Sequence, residues 1–203
     1  MFDMLRKWLS NKDSKRRQLA ALALLLGSGL GLLASFVLSI EALTLAKNSH
    51  AALNCDLNSV ISCSAVANHW SAALLGFPNS FVGMMTLPVM VTIGVALLAG
   101  AKLPKWFMWG AQLGAVAGLL FAGWMFYMSY VEIGALCPWC LMLDAGMLLV
   151  CYGLTRYNVV TGAIGSKRMR KFIDRGFDTF LLALVTSVIV VVILATFGRE
   201  LFA

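Results

Sequence analysis

Five stretches of roughly twenty apolar residues recur along the 203-residue chain. Each is long enough, at ~1.5 Å rise per residue, to cross a hydrocarbon core ~30 Å thick. A segment surrounded by lipid must satisfy its own backbone hydrogen bonds, so these stretches predict helices. The expected fold is an all-α integral membrane protein with spans at about 19–40, 81–101, 106–131, 138–155 and 177–197. Residues 1–18 form a basic N-terminal segment and 19–203 a single transmembrane domain, with no soluble domain left over. The first run is too long for the apolar core of a signal peptide and lacks a cleavage site before the next polar stretch, so it is expected to remain as an anchor.

A formal net charge of +7 raises the question of nucleic acid, and the positions of the basic residues answer it. Arg6, Lys7, Lys12, Lys15, Arg16 and Arg17 precede the first span, Lys102 and Lys105 join the second to the third, and Arg156, Lys167, Arg168, Arg170, Lys171 and Arg175 flank the fourth-to-fifth connection. Only Lys47 and Arg199 fall elsewhere. This alternation follows the positive-inside rule: it predicts a cytoplasmic N-terminus, an Asn48–Ser80 connection outside, and an outer C-terminus. The charge is thus topological, and it also favours anionic lipid.

In this topology Cys55 and Cys63 belong to the long outer connection, and Cys137 and Cys140 open the fourth span from the same side. Compartments outside a plasma membrane permit disulfides, whereas the cytosol keeps thiols reduced. Cys137-Pro138-Trp139-Cys140 stands immediately before an apolar run, with Pro138 suited to the first helical position and Cys137 to the cap. A sulfur there faces unpaired N–H groups and the positive end of the helix dipole, which favours the attacking thiolate. Residues i and i+3 of one turn lie ~5–6 Å apart, inside disulfide reach. A redox dithiol is the favoured reading over a static bridge at the helix end.

The other pair lies in a segment rich in turn formers, where backbone flexing can move the sulfurs. It suits either a mobile relay to an external thiol protein or a structural loop disulfide. Cys151, eleven residues beyond Cys140, lies ~16 Å deeper on the same face and reads as buried packing. Zinc is disfavoured, because seven residues separate the first pair where two to four are usual, and no metal is expected.

Electrons leaving a dithiol need an acceptor, and no dinucleotide fingerprint, P-loop or haem-attachment motif is present. His50 and His69 are the only histidines, both in the outer connection. A quinone dissolved in the bilayer fits the two-electron stoichiometry, entering between helices near Cys140. The short apolar segment Ser64–Leu75 reads as an interfacial lid anchored by Trp70, or as a simple connector. Asn79 is expected to cap the second span or to hydrogen-bond a quinone carbonyl. Asp144, one turn below Cys140, either moves a proton during quinone reduction or bonds a neighbouring helix. Trp70, Asn79 and Asp144 are therefore the candidate quinone contacts. His69, Glu41 and Glu132 read as solvated groups near outer ends. The tryptophans and tyrosines of the third span read as interfacial belts, and Gly27, Gly29, Gly31, Gly110, Gly114 and Gly118 as close-packing faces.

From Leu19 to Leu154 the chain resembles the vitamin K epoxide reductase family, including its bacterial homologues. The resemblance is carried by Cys55-Asp56, Ser62-Cys63-Ser64, Trp70, Asn79-Ser80 and Cys137-Pro138-Trp139-Cys140. It implies a four-helix bundle around a quinone, with a fifth helix added, under a loop carrying a shuttle pair. It also implies that Cys55 exchanges with a partner, Cys63 with Cys137, and that Cys140 faces the quinone. Bacterial relatives oxidise a DsbA-type, thioredoxin-like protein and reduce ubiquinone or menaquinone. Some carry that domain fused; here the partner is expected to be a separate protein, at a bacterial plasma membrane. Vertebrate members have a tyrosine where Asp144 stands, so epoxide reduction is the alternative rather than the leading activity.

Overall fold

The computed structural model describes residues 12–49, 51–58 and 60–201. Arg6, Lys7 and His50 lie outside the described residues, as do the side chains of Lys12 and Arg199. Among the described residues the fold is all-helical: α1 Lys12–Lys47, α2 Cys63–Ala67, α3 Ser80–Leu98, α4 Lys105–Tyr127, α5 Pro138–Thr161, α6 Lys167–Asp174 and α7 Phe177–Leu201. A 3-10 turn at Trp70–Ala73 and a π-helical turn at Met128–Ile133 interrupt the series. Five of the helices, α1, α3, α4, α5 and α7, are long and apolar enough to cross a membrane. The protein is a multi-pass membrane protein.

α1 exceeds its apolar run at both ends. Its 36 residues reach about 54 Å at 1.5 Å per residue, more than a hydrocarbon core needs, and in its last turns Glu41 and Leu45 stand beside the cysteine-bearing loop. Pro138 at the start of α5 costs no hydrogen bond, because the first N–H groups of a helix have no partner within it. Gly162, with φ 72°, closes α5 in the left-handed conformation.

α1 packs against α5 through glycine, backbone to backbone. A Cβ added at Gly153 would lie 2.6 Å from the carbonyl oxygen of Ala20, and one at Gly146 would lie 2.7 Å from that of Gly27. In lipid, helix association depends on such close approach, since apolar side chains gain little by leaving the bilayer. The expectation that every glycine of these spans serves packing is corrected: Gly29 and Gly110 face open space.

Polar pins join the remaining helices. Asn158 of α5, fully buried, donates to Gln112 of α4 at 3.0 Å, and Gln112 donates to Thr155 at 2.8 Å. α7 is fastened near both ends: Arg156 pairs with Asp178 at 2.8 Å, and Tyr130 meets Phe197 edge-on at 5.9 Å. At the end remote from the cysteines, Arg16 pairs with Asp174, and Arg170 with Asp13 at 3.0 Å. These exposed pairs tie α6 to the start of α1 but contribute little stability.

Candidate functional site

The loop between α1 and α2 is organised by its own polar side chains. Asp56 accepts hydrogen bonds from Leu53 N at 2.9 Å, Ser62 Oγ at 2.9 Å and Ser64 N at 3.0 Å. Partial burial works against its charge, but these bonds outweigh that and hold its carboxyl below the usual carboxylate range. Asn58 folds back to accept from Val60 N and Ile61 N. Ser62 caps α2, accepting from Ala65 N at 3.2 Å, and so presents Cys63 as its first residue.

From the other side, the chain leaves α4 through the wide π-turn and reverses at Gly134, whose φ of 68° suits a residue without Cβ. It then pairs as a short extended strand with the loop. Leu136 N donates to Val60 O at 2.7 Å, and Ser62 N donates to Leu136 O at 3.1 Å, forming a parallel bridge between Ile61 and Leu136. This bridge sets the register of the site. Cys63 lies two residues past Ile61 and Cys137 one past Leu136, and their sulfurs come together just beyond the bridge.

Cys55 and Cys63 form a disulfide with Cα atoms 5.7 Å apart, while Cys137 and Cys140 are free thiols. Cys137 Sγ lies 3.4 Å from Cys63 Sγ, a distance at which a thiolate can attack. Cys137 is the N-cap of α5, and its sulfur accepts from Cys140 N at 3.3 Å. The Cys140 side chain, by hydrogen bonding to it, lowers the Cys137 thiol from its ordinary value, against the opposing effect of burial. The four sulfurs therefore occupy one end of the protein, in the state one disulfide short of full oxidation.

Beneath them opens an apolar cavity of about 1040 Å³, bordered by Cys63, Cys137 and Cys140 and walled by residues of α1, α3, α4 and α5. Asn79, Trp70 and Asp144 all line it. Asn79 does not cap α3, contrary to one of the two roles expected of it: its backbone is already helical. Its Nδ2 instead donates to Ser71 O at 2.6 Å, leaving Oδ1 buried without a hydrogen-bond partner. Trp70 is 62% exposed and packs on Trp124, with ring centroids 6.2 Å apart. The segment expected as a lid does border the cavity, as α2 and the 3-10 turn.

Three expectations are corrected. His69 is not a free solvated group, since Nδ1 contacts Ser71 Oγ at 2.8 Å and caps the 3-10 turn. Cys151 is half-buried, beside Thr155. Glu41 is not a solvated carboxylate: Oε1 lies 3.1 Å from Cys55 Sγ, and Oε2 is buried without a partner. The available signal was the lone acid in the apolar stretch leading into the cysteine loop. Glu41, Cys55 and Cys63 place ligand-type atoms within 4.8 Å of one another, but both sulfurs are bonded to each other, so the group offers one carboxyl rather than three ligands.

The cavity fits a quinone in size and character. Ligand pockets run to roughly 300–1,000 Å³, mostly apolar with a few convergent polar groups. Here a buried acceptor, Asn79 Oδ1, stands unsatisfied in the wall; it suits the hydroxyl of a reduced quinone rather than a quinone carbonyl, because the Asn79 amide N–H is taken by Ser71 O. No curated protein matches the chain. The vitamin K epoxide reductase family model matches residues 22–155, from the body of α1 into α5.

Proposed function

The chain belongs to the vitamin K epoxide reductase family and is an oxidoreductase of that type. From this we propose that it is a thiol–disulfide oxidoreductase of a bacterial plasma membrane. It reoxidises a separate, extracytoplasmic, DsbA-type thiol protein and passes two electrons to ubiquinone or menaquinone. The N-terminus then lies in the cytoplasm, the sulfurs and C-terminus outside.

The observation that carries this reading is the 3.4 Å approach of Cys137 to Cys63, with Cys140 on the cavity wall behind it. Exchange between the pairs starts from two sulfurs already within attacking distance. A reduced partner attacks Cys55, opening the Cys55–Cys63 bond, and its second thiol releases it oxidised. Cys63 then attacks Cys137 of an oxidised Cys137–Cys140 pair, and Cys55 closes on Cys63, leaving Cys137 and Cys140 reduced. A bond between Cys55 and Cys63 beside free thiols at Cys137 and Cys140 supports this order. When bound, a quinone supplies an acceptor for two electrons and two protons. Asn79, Asp144 and Trp70 would hold it, in a pocket whose apolar walls exclude water.

The test is quinone reduction, followed by absorbance in vesicles containing the purified protein, upon addition of a reduced DsbA-type protein. Turnover that is lost in Cys140→Ser is expected. Absence of quinone reduction in the unaltered protein overturns the proposal.

A further inference from the structure

A sulfur in a disulfide has no hydrogen to donate, yet Cys55 Sγ sits 3.1 Å from Glu41 Oε1. Two atoms presenting only lone pairs repel at that distance, so the contact is a hydrogen bond only if the carboxyl carries the proton. The second oxygen, buried without a partner, is consistent with a neutral acid in this setting, since an unpaired buried charge is costly. The charged and titratable groups facing Glu41 are Asp56 from the loop and Cys137 and Cys140 from α5. Asp56 is occupied by Leu53, Ser62 and Ser64, which leaves Glu41 as the acid turned toward Cys55.

We infer that Glu41 is a catalytic residue for the shuttle pair, sharing one proton with Cys55: the carboxyl holds it while Cys55–Cys63 is closed, and the thiol holds it while the pair is open. The inference rests on the relay proposed above. In the closing step, the Glu41 carboxylate takes the proton of the Cys55 thiol as its sulfur attacks Cys63 in a Cys63–Cys137 mixed disulfide. The Cys55–Cys63 bond forms and the Cys63–Cys137 bond breaks. The electron pair leaves on Cys137, whose thiolate is received by the N–H of Cys140. One disulfide is consumed and one formed, so no outside oxidant enters. In reverse, Glu41 protonates Cys55 as it leaves.

The consequence is a proton count that differs from that of an ordinary dithiol. Exchange with glutathione moves equal numbers of thiol protons on both sides and is independent of pH below the thiol range, ~8.5. With Glu41 taking up one proton on closure, the oxidised pair becomes about tenfold more favoured for each pH unit lowered. The experiment equilibrates the full chain, carrying Cys137→Ser and Cys140→Ser, with glutathione buffers between about pH 5 and 8. The Cys55–Cys63 state is then read by alkylation and mass spectrometry.

About tenfold change per unit over part of this range is expected, with a flat profile in Glu41→Gln. A flat profile before Glu41 is altered overturns the inference, and so does an unchanged slope in Glu41→Gln. Should that variant not fold, Glu41→Asp decides: the pH window must move with the altered carboxyl, and an unmoved window overturns the assignment. This background cannot reduce quinone, so the result is independent of whether the quinone reading holds.

Discussion

Cys137 Sγ stands 3.4 Å from Cys63 Sγ, whereas Cys55, the other half of that disulfide, faces Glu41. The two sulfurs of the shuttle bond therefore have different neighbours: one meets the dithiol of α5, and the other meets an acid at the end of α1.

This asymmetry fixes which mixed disulfide can be trapped. Cys55→Ser frees Cys63, and the expected product is a Cys63–Cys137 bond, found by peptide mapping under non-reducing conditions. A dominant Cys63–Cys140 bond contradicts the order of transfer.

Cys137 is expected to react as a thiolate at lower pH than an ordinary cysteine. Because the Cys140 side chain lowers it against burial, alkylation should reach half its maximal rate at a lower pH than for an ordinary cysteine. Cys140→Ala removes the side-chain hydrogen bond, so its profile should move toward higher pH. An unmoved profile assigns the effect to the backbone N–H alone.

Asp56 organises the loop as a charged acceptor. Its carboxyl is lowered, so its contribution is present above the unfolded value, ~3.9, and fades only as pH falls through the still lower folded value. Hydrogen exchange of the Leu53 and Ser64 amides should thus stay slow at pH ~5 and quicken below ~3.9. Asp56→Ala should loosen the loop by about 1 kcal/mol at neutral pH, a modest value because the group is partly exposed. Equal protection in the variant would count against this role.

Glycine substitutions separate contact from composition. Gly153→Ala forces a Cβ against the Ala20 carbonyl and should destabilise by about 1–3 kcal/mol, whereas Gly29→Ala meets nothing and should be neutral or slightly stabilising. Thermal denaturation in one detergent distinguishes them, and equal losses would place the α1–α5 seam elsewhere.

Arg156→Ala should loosen α7 at one end. Its side chain and that of Asp178 are 14% and 13% exposed, and removing one partner leaves the other charge in a half-dry site, at a cost of about 3 kcal/mol or more. Removal of both charges, in Arg156→Met with Asp178→Leu, should recover much of the loss. A double variant as unstable as the single would point to packing rather than charge.

The spans were legible because lipid imposes a length and a composition that few other structures share, and the dithiol at the head of α5 because Pro138 beside a cysteine marks a helix start. Helix α6 was not legible. Its apolar positions Met169, Phe172 and Ile173 are embedded among Lys167, Arg168, Arg170 and Lys171, and the basic residues read as a loop. Glu41 was read as solvated because the apolar run ends at Ile40, while the helix continues to Lys47 and turns the acid toward the loop. The pairing of Ile61 with Leu136 joins residues far apart in the chain, and neither segment has the alternation that marks a strand. Asn79 was misjudged for a simpler reason: a helix can begin with that residue already in helical geometry, leaving its amide for another element.

The short parallel pairing of Ile61 with Leu136 also governs regiochemistry. Three disulfides could arise when Cys55, Cys63 and Cys137 are crowded together, and a floppy hairpin would sample the unproductive one between Cys55 and Cys137. Because the two segments are stitched at Ile61 and Leu136, just ahead of Cys63 and Cys137, those two sulfurs are brought together while Cys55 faces Glu41. The backbone thus selects among isomers before any electron moves, and a substitution that breaks the stitching, such as Leu136→Pro, should show itself first as scrambled sulfur pairing.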